Sequence, residues 1–577
     1  MVSLWKEMSS RKRNQPPLPL ATWATAAASL ARTCFGTNLP ALIATVEAAD
    51  PTARASSGMN ALDYAIVALY IGSMIWLGVR FKKNAARNDY FLGGRTFGWF
   101  PLGMSTMATQ LSAVSFVSAP AFVGLRKGGG LQWLTFELGV PLAMIATLTL
   151  IGPMLHRSGV VSVYSFLEKR FGWESRALLS SLFLVSRAFA AGVYTYVIGL
   201  VLSSILHVPF WETMLVLGAV TIVYSLEGGL KAIVYSEVAQ MTIKFLGIVT
   251  IMVSALYYIG GWQSFLSHLD RSRLRVIDFG NWGFDGREYG FWPMLLGGLF
   301  LYASYYGTDQ TQAQRILAAR DQATVTRLLM FNGLFRFPVT LAYCLGGLVL
   351  GAFALSDPGF SRRIPPDKPD LMIPLFIGGY LPHGVVGVLV VALIAAWMSA
   401  YSSALNSLTA VTMEDFIDRR LPTPAHRYVP YSKAVLLSWG VVTIICGFFS
   451  SRIAATAIEA INKIGSLFYG PILGIFLLAA VRWITPAAAN IAVVVGVGVN
   501  LILWLFFKSV FWFWWNAIGG VTTLLAAAAL SLLWPTLPPA HIERPATPDP
   551  FPWRQSAVLL VFFVCMLAFC LLLPRMF

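Results

Sequence analysis

Residues 392–415 read ALIAAWMSAYSSALNSLTAVTMED. This is a membrane-length apolar helix whose only strong polarity is a ladder of small hydroxyls. Ser399, Ser402 and Ser403 recur at spacings of three and four, which puts them on one stripe of a helix. In hydrocarbon a Leu or Val would cost less at each place. Two explanations fit such a stripe. Small residues are widely used as packing glue between membrane helices. Alternatively, the oxygens replace the water around a small hard cation, which takes oxygen ligands.

The surrounding chain is of the same kind. Of 577 residues, 57% are hydrophobic and 12% charged, with a mean hydropathy of +0.68. Apolar runs of about 20 residues recur far beyond what a soluble core needs. About fourteen spans are expected, near 62–80, 98–124, 131–152, 177–205, 210–226, 236–260, 291–308, 327–354, 384–412, 435–450, 455–481, 487–507, 511–534 and 555–574. The fold class is therefore an all-α polytopic membrane protein. A membrane β-barrel is excluded, because its strands would alternate every second residue.

A net charge of +16 could suggest nucleic acid, but the basic residues fall in short loops between spans. Arg80, Lys82, Lys83, Arg87 and Arg95 follow the first span; Arg157, Lys169, Arg170 and Arg176 follow the third. Arg315, Arg320 and Arg327 follow the seventh, and Arg419, Arg420, Arg427 and Lys433 the ninth. Alternating helices put these loops on one side, which the positive-inside rule makes cytoplasmic. The loop at 261–290, on the other side, mixes Arg271, Arg273, Arg275 and Arg287 with Asp270, Asp278 and Asp285. Fourteen spans then leave both termini outside a plasma (inner) membrane. Topology explains the basicity without nucleic acid.

Enzymatic signals are missing from the sequence. Cys34, Cys344, Cys446, Cys565 and Cys570 show no metal spacing, and the six histidines form no HxxxH-like group. There is no serine elbow, phosphate loop or pair of carboxylates in a soluble segment, so the chain is not expected to be an enzyme. Residues 1–58 differ from the rest: Arg11, Lys12 and Arg13 precede an Ala- and Thr-rich segment and then VEAADPTARASSG. They read as a signal-like leader or as a mis-assigned start, with Met59 opening the first span.

Two spans look interrupted. Residues 98–124, GWFPLGMSTMATQLSAVSFVSAPAFVG, carry small and hydroxyl residues through their centre. Residues 291–310, FWPMLLGGLFLYASYYGTDQ, have Gly297 and Gly298 early, then Ser304, Tyr305, Tyr306 and Gly307. Polar, glycine-containing backbone at membrane depth is tolerated where it lines a cavity or is covered by protein. Broken helices at matching places in two halves point to a transport site. These two lie five spans apart. Counting core helices from the second span, they are the first and sixth, and the serine ladder lies on the eighth.

At this point the residues carry a family resemblance. Five fragments occur in family order: YFLGGRTFGWFPLGMSTMATQLSAVSF at 90–116, SVYSFLEKRFG at 162–172, YSLEGGLKAIVYSEVAQ at 224–240, TDQTQAQRILAARD at 308–321, and LPHGVVGVLVVALIAAWMSAYSSALNS at 381–407. Over residues 62–478 the chain resembles the sodium:solute symporters, the family of the sodium/glucose, proline, sialic acid, monocarboxylate and multivitamin cotransporters. The resemblance implies the leucine-transporter fold, an inverted five-helix repeat. It divides the chain into a leader (1–58), a first helix with its basic loop (59–90), two repeats (91–260 and 261–482) and peripheral helices (483–577).

The resemblance also implies site residues. The family's cation site uses backbone carbonyls of the first core helix and oxygens of the eighth. These positions fall on Ala108, Leu111, Ala396 and Ser399 as sodium ligands. The next residue is usually Ser or Thr in the family but is Ala400 here, which removes an oxygen and leaves proton coupling open. A second cation site in some relatives maps onto Ser402, Ser403 and Glu237; Glu237 replaces the family's Asp and could instead be an interfacial acid. Gln110, Ser115 and Tyr302 match positions that touch substrate, and Tyr305 matches the aromatic that closes the site from inside.

Arg187 lies within the third core helix, where a cation costs about 2.5–3.5 kcal/mol and usually pairs. It is read either as a clamp for a substrate carboxylate or as the partner of an acid such as Glu137. Lys244, Glu459 and Lys463 also fall within spans or at their ends, and Lys463 either faces the cavity or snorkels. The branch resemblance is closer to monocarboxylate and multivitamin carriers than to sugar carriers, where an acid or amide would stand at Val114.

The expected function is sodium-coupled uptake of a small, carboxylate-bearing organic solute by alternating access in a monomer within the lipid bilayer. A proton-coupled or uncoupled carrier and a sugar or polyol symporter stay open. A membrane enzyme would need a polar catalytic cluster, and a sensor a long soluble extension.

Overall fold

The computed structural model describes residues 59–81, 87–449, 456–534 and 551–577. The proposed leader at 1–58, and Lys82 and Lys83, lie outside them. Within the described residues each expected span contains a helix. We label α1 Ala61–Arg80, α2 Trp99–Gln110, α3 Ala113–Gly124, α4 Leu131–Ser158, α5 Trp173–Leu206, α6 Phe210–Leu226 and α7 Gly228–Tyr258. Then follow α8 Phe291–Gly307, α9 Gln310–Leu317, α10 Gln322–Ser356, α11 Val385–Val411, α12 Ala425–Phe449 and α13 Ala457–Leu478. The peripheral helices are α14 Pro486–Phe506, α15 Trp514–Leu533 and α16 Trp553–Met576. Among the described residues, eleven helices are long and apolar enough to cross a membrane, or twelve counting the bent pair α2–α3; α6 and α8 are shorter.

The serine-ladder helix α11 is the axis of the bundle. It is buried nearly from end to end, as expected of a helix that is apolar all round. Its start is held by Asp63 of α1, whose carboxylate accepts from the Gly384 and Gly387 amides at 2.7 and 2.8 Å. Gly387 is required there, because a Cβ would come within 2.8 Å of the Asp63 Cα. Inside the helix, Trp397 and Tyr401 stack at 4.9 Å.

Both expected breaks exist. The α2 and α3 axes bend by 55° at Leu111 and Ser112. The second break lies at Thr308 and Asp309, between α8 and α9, and this corrects the reading that centred it on Gly297–Gly307. Those two early glycines serve packing instead. A Cβ on Gly297 would sit 2.2 Å from the Phe513 carbonyl, and one on Gly298 2.9 Å from that of Phe136. At the true break the Asp309 carboxylate caps α9, accepting from the Thr311 amide at 2.8 Å.

Three basic residues assigned above to cytoplasmic loops are buried in the protein. Arg315 lies on α9 and is fully inaccessible. Arg176 pairs with Asp415 at 2.6 Å, and Arg170 donates to the carbonyls of Val481 and Ile484. A short loop charge contributes to topology only where it meets solvent or lipid headgroups; these three brace helices.

Candidate solute and cation sites

The first break and the helix α8 that leads into the second face a central cavity of about 100 Å³. At roughly 15 Å³ per water, this is room for a handful of waters or a small solute. Gln110, Ser115, Arg187, Tyr302 and Tyr305 all line it, so these sequence-predicted substrate residues converge. Val114 and Tyr343 line it too, with Arg336 and Glu137. Of the tenth core helix, α13, Ile461 and Asn462 reach the wall, while Lys463 stays half-buried outside it. Glu459 lies in the first turn of α13 and is bound by Arg126 at 2.6 Å.

The pairing of the arginines differs from expectation. Arg187 does not meet Glu137; its guanidinium donates to Asp309, the residue at the second break. Glu137 instead accepts a two-pronged contact from Arg336, with Nε and Nη2 both at 3.1 Å, and a third bond from Thr340 at 3.1 Å. In the sequence Asp309 stands at the end of an apolar span, and only the fold shows that it lies in the break within reach of Arg187. Arg336 escaped notice, although a lone arginine in FNGLFRFPVTLAY carries the same signal as Arg187.

Each charge is thus balanced, yet donors remain. Arg187 Nε, Arg336 Nη1, Gln110 Nε2 and Tyr343 Oη are buried without a hydrogen-bond partner among the described residues. The Gln110 side chain is oriented by Tyr306, whose hydroxyl donates to Oε1 at 2.8 Å, which leaves the amide nitrogen over. Ser115 donates to the Gln110 carbonyl at 3.3 Å. Tyr302 and Tyr305 lie under the two guanidinium groups, 5.9 Å from Arg336 and 5.6 Å from Arg187.

The cation residues gather at the first break. Ser399 donates to the Ala108 carbonyl at 3.0 Å and to that of Ala396 at 3.2 Å. The Lys244 ammonium stands among them, at 2.7 Å from the Ala108 carbonyl, 2.9 Å from that of Leu111 and 2.9 Å from the Ser399 hydroxyl. The second position is also filled from the chain. Glu237 accepts from Ser403 at 2.5 Å, from Thr109 at 3.0 Å, and from Ser105. Arg315 lies against it at 3.0 Å and donates to Ser403 as well. Ser402 takes no part there, since its hydroxyl turns back to the Ser399 carbonyl at 3.4 Å. Glu237 is therefore a buried partner of an arginine, not an interfacial acid.

A model of the sodium:solute symporter family matches residues 90–496. The chain belongs to this family. It is 29% identical over 485 residues to the Homo sapiens sodium/iodide cotransporter, covering 82% of this chain and 72% of that protein. It is 29% identical over 426 residues to the Bos taurus sodium-coupled monocarboxylate transporter 2, covering 72% and 68%. Among solved structures, a Na+-coupled sialic acid symporter superposes with a TM-score of 0.73 at 22% identity, over 82% of this chain and 98% of that one. Mhp1, a nucleobase-cation-symport-1 transporter, gives 0.54 at 13% identity, over 83% and 99%.

The symporter assignment agrees with the geometry at the breaks. The all-helical leucine-transporter fold explains why two interrupted helices face each other across a central cavity. As a family member the chain is a multi-pass, sodium-coupled solute symporter. The functional residues that sequence reasoning missed are Asp309, Arg315, Arg336 and Tyr343. All four are buried and carry an ionisable group in or beside an apolar span, which is the signal that could have found them.

Proposed function

We propose that the solute is a small organic anion bearing a carboxylate, taken up by alternating access around the central cavity. The observation that carries this reading is the set of four unpartnered buried donors, two of them on guanidinium groups. A buried donor left without an acceptor costs about 1–3 kcal/mol, and a carboxylate supplies several acceptor positions at once. The charges of Arg187 and Arg336 are already met by Asp309 and Glu137. The anion is therefore held mainly by directed hydrogen bonds, with Gln110 and Ser115 from the first break and the rings of Tyr302 and Tyr305 completing the wall. The names of the monocarboxylate and sialic acid relatives support the same substrate class. The proposed setting is the plasma (inner) membrane, with both termini outside and one chain sufficient.

The test is uptake into proteoliposomes of a panel of small monocarboxylates, their amides and esters, and iodide, with inward sodium or with choline. Carboxylates should be accumulated only with sodium, and their neutral analogues should compete poorly. Equal competition by amides would overturn the anion reading. Accumulation unchanged in choline would overturn sodium drive.

A further inference from the structure

We propose that the Lys244 ammonium is a tethered occupant of the cation position between α2 and α11, and that free sodium takes this position only by displacing it. An ammonium has three protons to donate. Lys244 directs them to three acceptors, the Ala108 and Leu111 carbonyls and the Ser399 hydroxyl, at 2.7–2.9 Å. Three of the four oxygens that the family resemblance assigns to sodium are thereby engaged by one side chain. The fourth, the Ala396 carbonyl, is met by Ser399 at 3.2 Å.

This accounts for Ala400. A bare cation needs as many oxygens as can be gathered, and a hydroxyl after Ser399 would be one more. An ammonium with three filled hydrogen bonds needs none, so a methyl group suffices there. Lys244 itself is wholly buried on α7, so its side chain joins the break between α2 and α3, α7 and α11 through one positive charge. That is the mechanical work a bound cation would do at the same place.

The second position shows the same replacement independently. There the Arg315 guanidinium, supplied by α9, lies between Ser403 and Glu237 and also donates to Thr109 at 3.2 Å and Ser105 at 3.1 Å. Glu237 and Lys244 are two turns apart on α7, so this carboxylate lies between two tethered cations. An incoming sodium ion meets positive charge at both positions. It gains its oxygens only as the Lys244 side chain withdraws.

The inference rests on reading these oxygens as the family's cation ligands, and does not depend on which solute is carried. Its test is equilibrium binding of radioactive sodium to the purified full-length protein. Removing a competitor that holds the site most of the time should strengthen sodium binding about tenfold or more in Lys244→Ala. Adding Ser399→Ala to Lys244→Ala should abolish that gain, which locates it, and Lys244→Arg should show no gain. Should Lys244→Ala not fold, Lys244→Met, which keeps the apolar stem of the side chain without its charge, gives the second measure and should strengthen sodium binding likewise. Sodium binding by Lys244→Ala or Lys244→Met that is equal to or weaker than that of the native protein would overturn the proposal. Sodium-driven uptake by the native protein is scored separately, so a failure of the coupling assignment is not mistaken for a failure of this one.

Discussion

The cavity and the cation region share the first break, yet they treat their polar atoms in opposite ways. In the cavity, two arginines have their charges balanced by Asp309 and Glu137 while donors remain unmatched on Arg187, Arg336, Gln110 and Tyr343. In the cation region, the oxygens of Ala108, Leu111, Ser399, Ser403 and Glu237 are all met by Lys244 or Arg315. One region has hydrogen-bonding capacity left for a ligand. The other has supplied its own positive charge. The difference shows how a common scaffold can keep its solute chemistry open while closing its cation chemistry with side chains.

The largest expected effect breaks the closed region. Arg315→Met leaves the Glu237 carboxylate buried without its cation, and losing one member of such a pair costs about 3–5 kcal/mol. Thermal and denaturant unfolding of the purified protein should show this loss. The double substitution Arg315→Met with Glu237→Gln should recover most of it, because no uncompensated charge is then left. A single-substitution cost within about 0.5 kcal/mol, as at an ordinary surface site, would show that the region is not closed in this way.

The next effect tests the open region. Arg336→Lys and Arg187→Lys keep the charges beside Glu137 and Asp309 but lose the planar donor fork. A hydrogen bond to a charged group contributes about 1.5–3 kcal/mol. The half-saturation concentration for a carboxylate should therefore rise about 10- to 150-fold in uptake assays, with unfolding temperatures changed little. If transport is unaltered while stability falls, both arginines are scaffold residues and the cavity is not the anion site.

How far the sequence discloses this contrast follows from where each signal is local. The serine ladder, the helical spans and the first break are written in short stretches, since periodicity and a polar interruption reveal them directly. The convergence of Gln110, Ser115, Arg187, Tyr302 and Tyr305 was reachable through family resemblance. Partner choice was not. Arg187 meets Asp309, 122 positions away, and Arg336 meets Glu137, 199 positions away, pairings decided by how helices pack and where α8 breaks. Arg315 reads as a loop charge because α9, only eight residues long, follows the second break and looks like a connector. Lys244 was recognised as a costly charge within a span, but which oxygens receive it depends on α2, α7 and α11 together.

A smaller change sharpens the cavity's side. Tyr343→Phe and Gln110→Leu each remove a neutral donor whose contribution is about 0.5–1.5 kcal/mol, so each should weaken carboxylate uptake about two- to twelvefold. Competition by an ester should be unchanged in Tyr343→Phe if that hydroxyl serves the carboxylate. An equal loss for both ligands would place it elsewhere on the solute.

The smallest effect asks whether Ala400 matters while Lys244 is in place. Ala400 is buried beside Ser399, and a hydroxyl added there can bond back to the carbonyl one turn earlier, as serine commonly does in helices. Ala400→Ser should therefore be tolerated without a large loss of stability. Sodium that has displaced the ammonium gains this oxygen in either background, so binding should tighten by about tenfold, the worth of one modest polar contact of about 1.4 kcal/mol, both in the native chain and in Lys244→Ala. The native protein should still bind sodium more weakly than Lys244→Ala whether residue 400 is Ala or Ser, because the lysine has to be displaced first. Tightening in neither background would place sodium away from Ser399, and the contrast between an open cavity and a closed cation region would fail at its narrowest point.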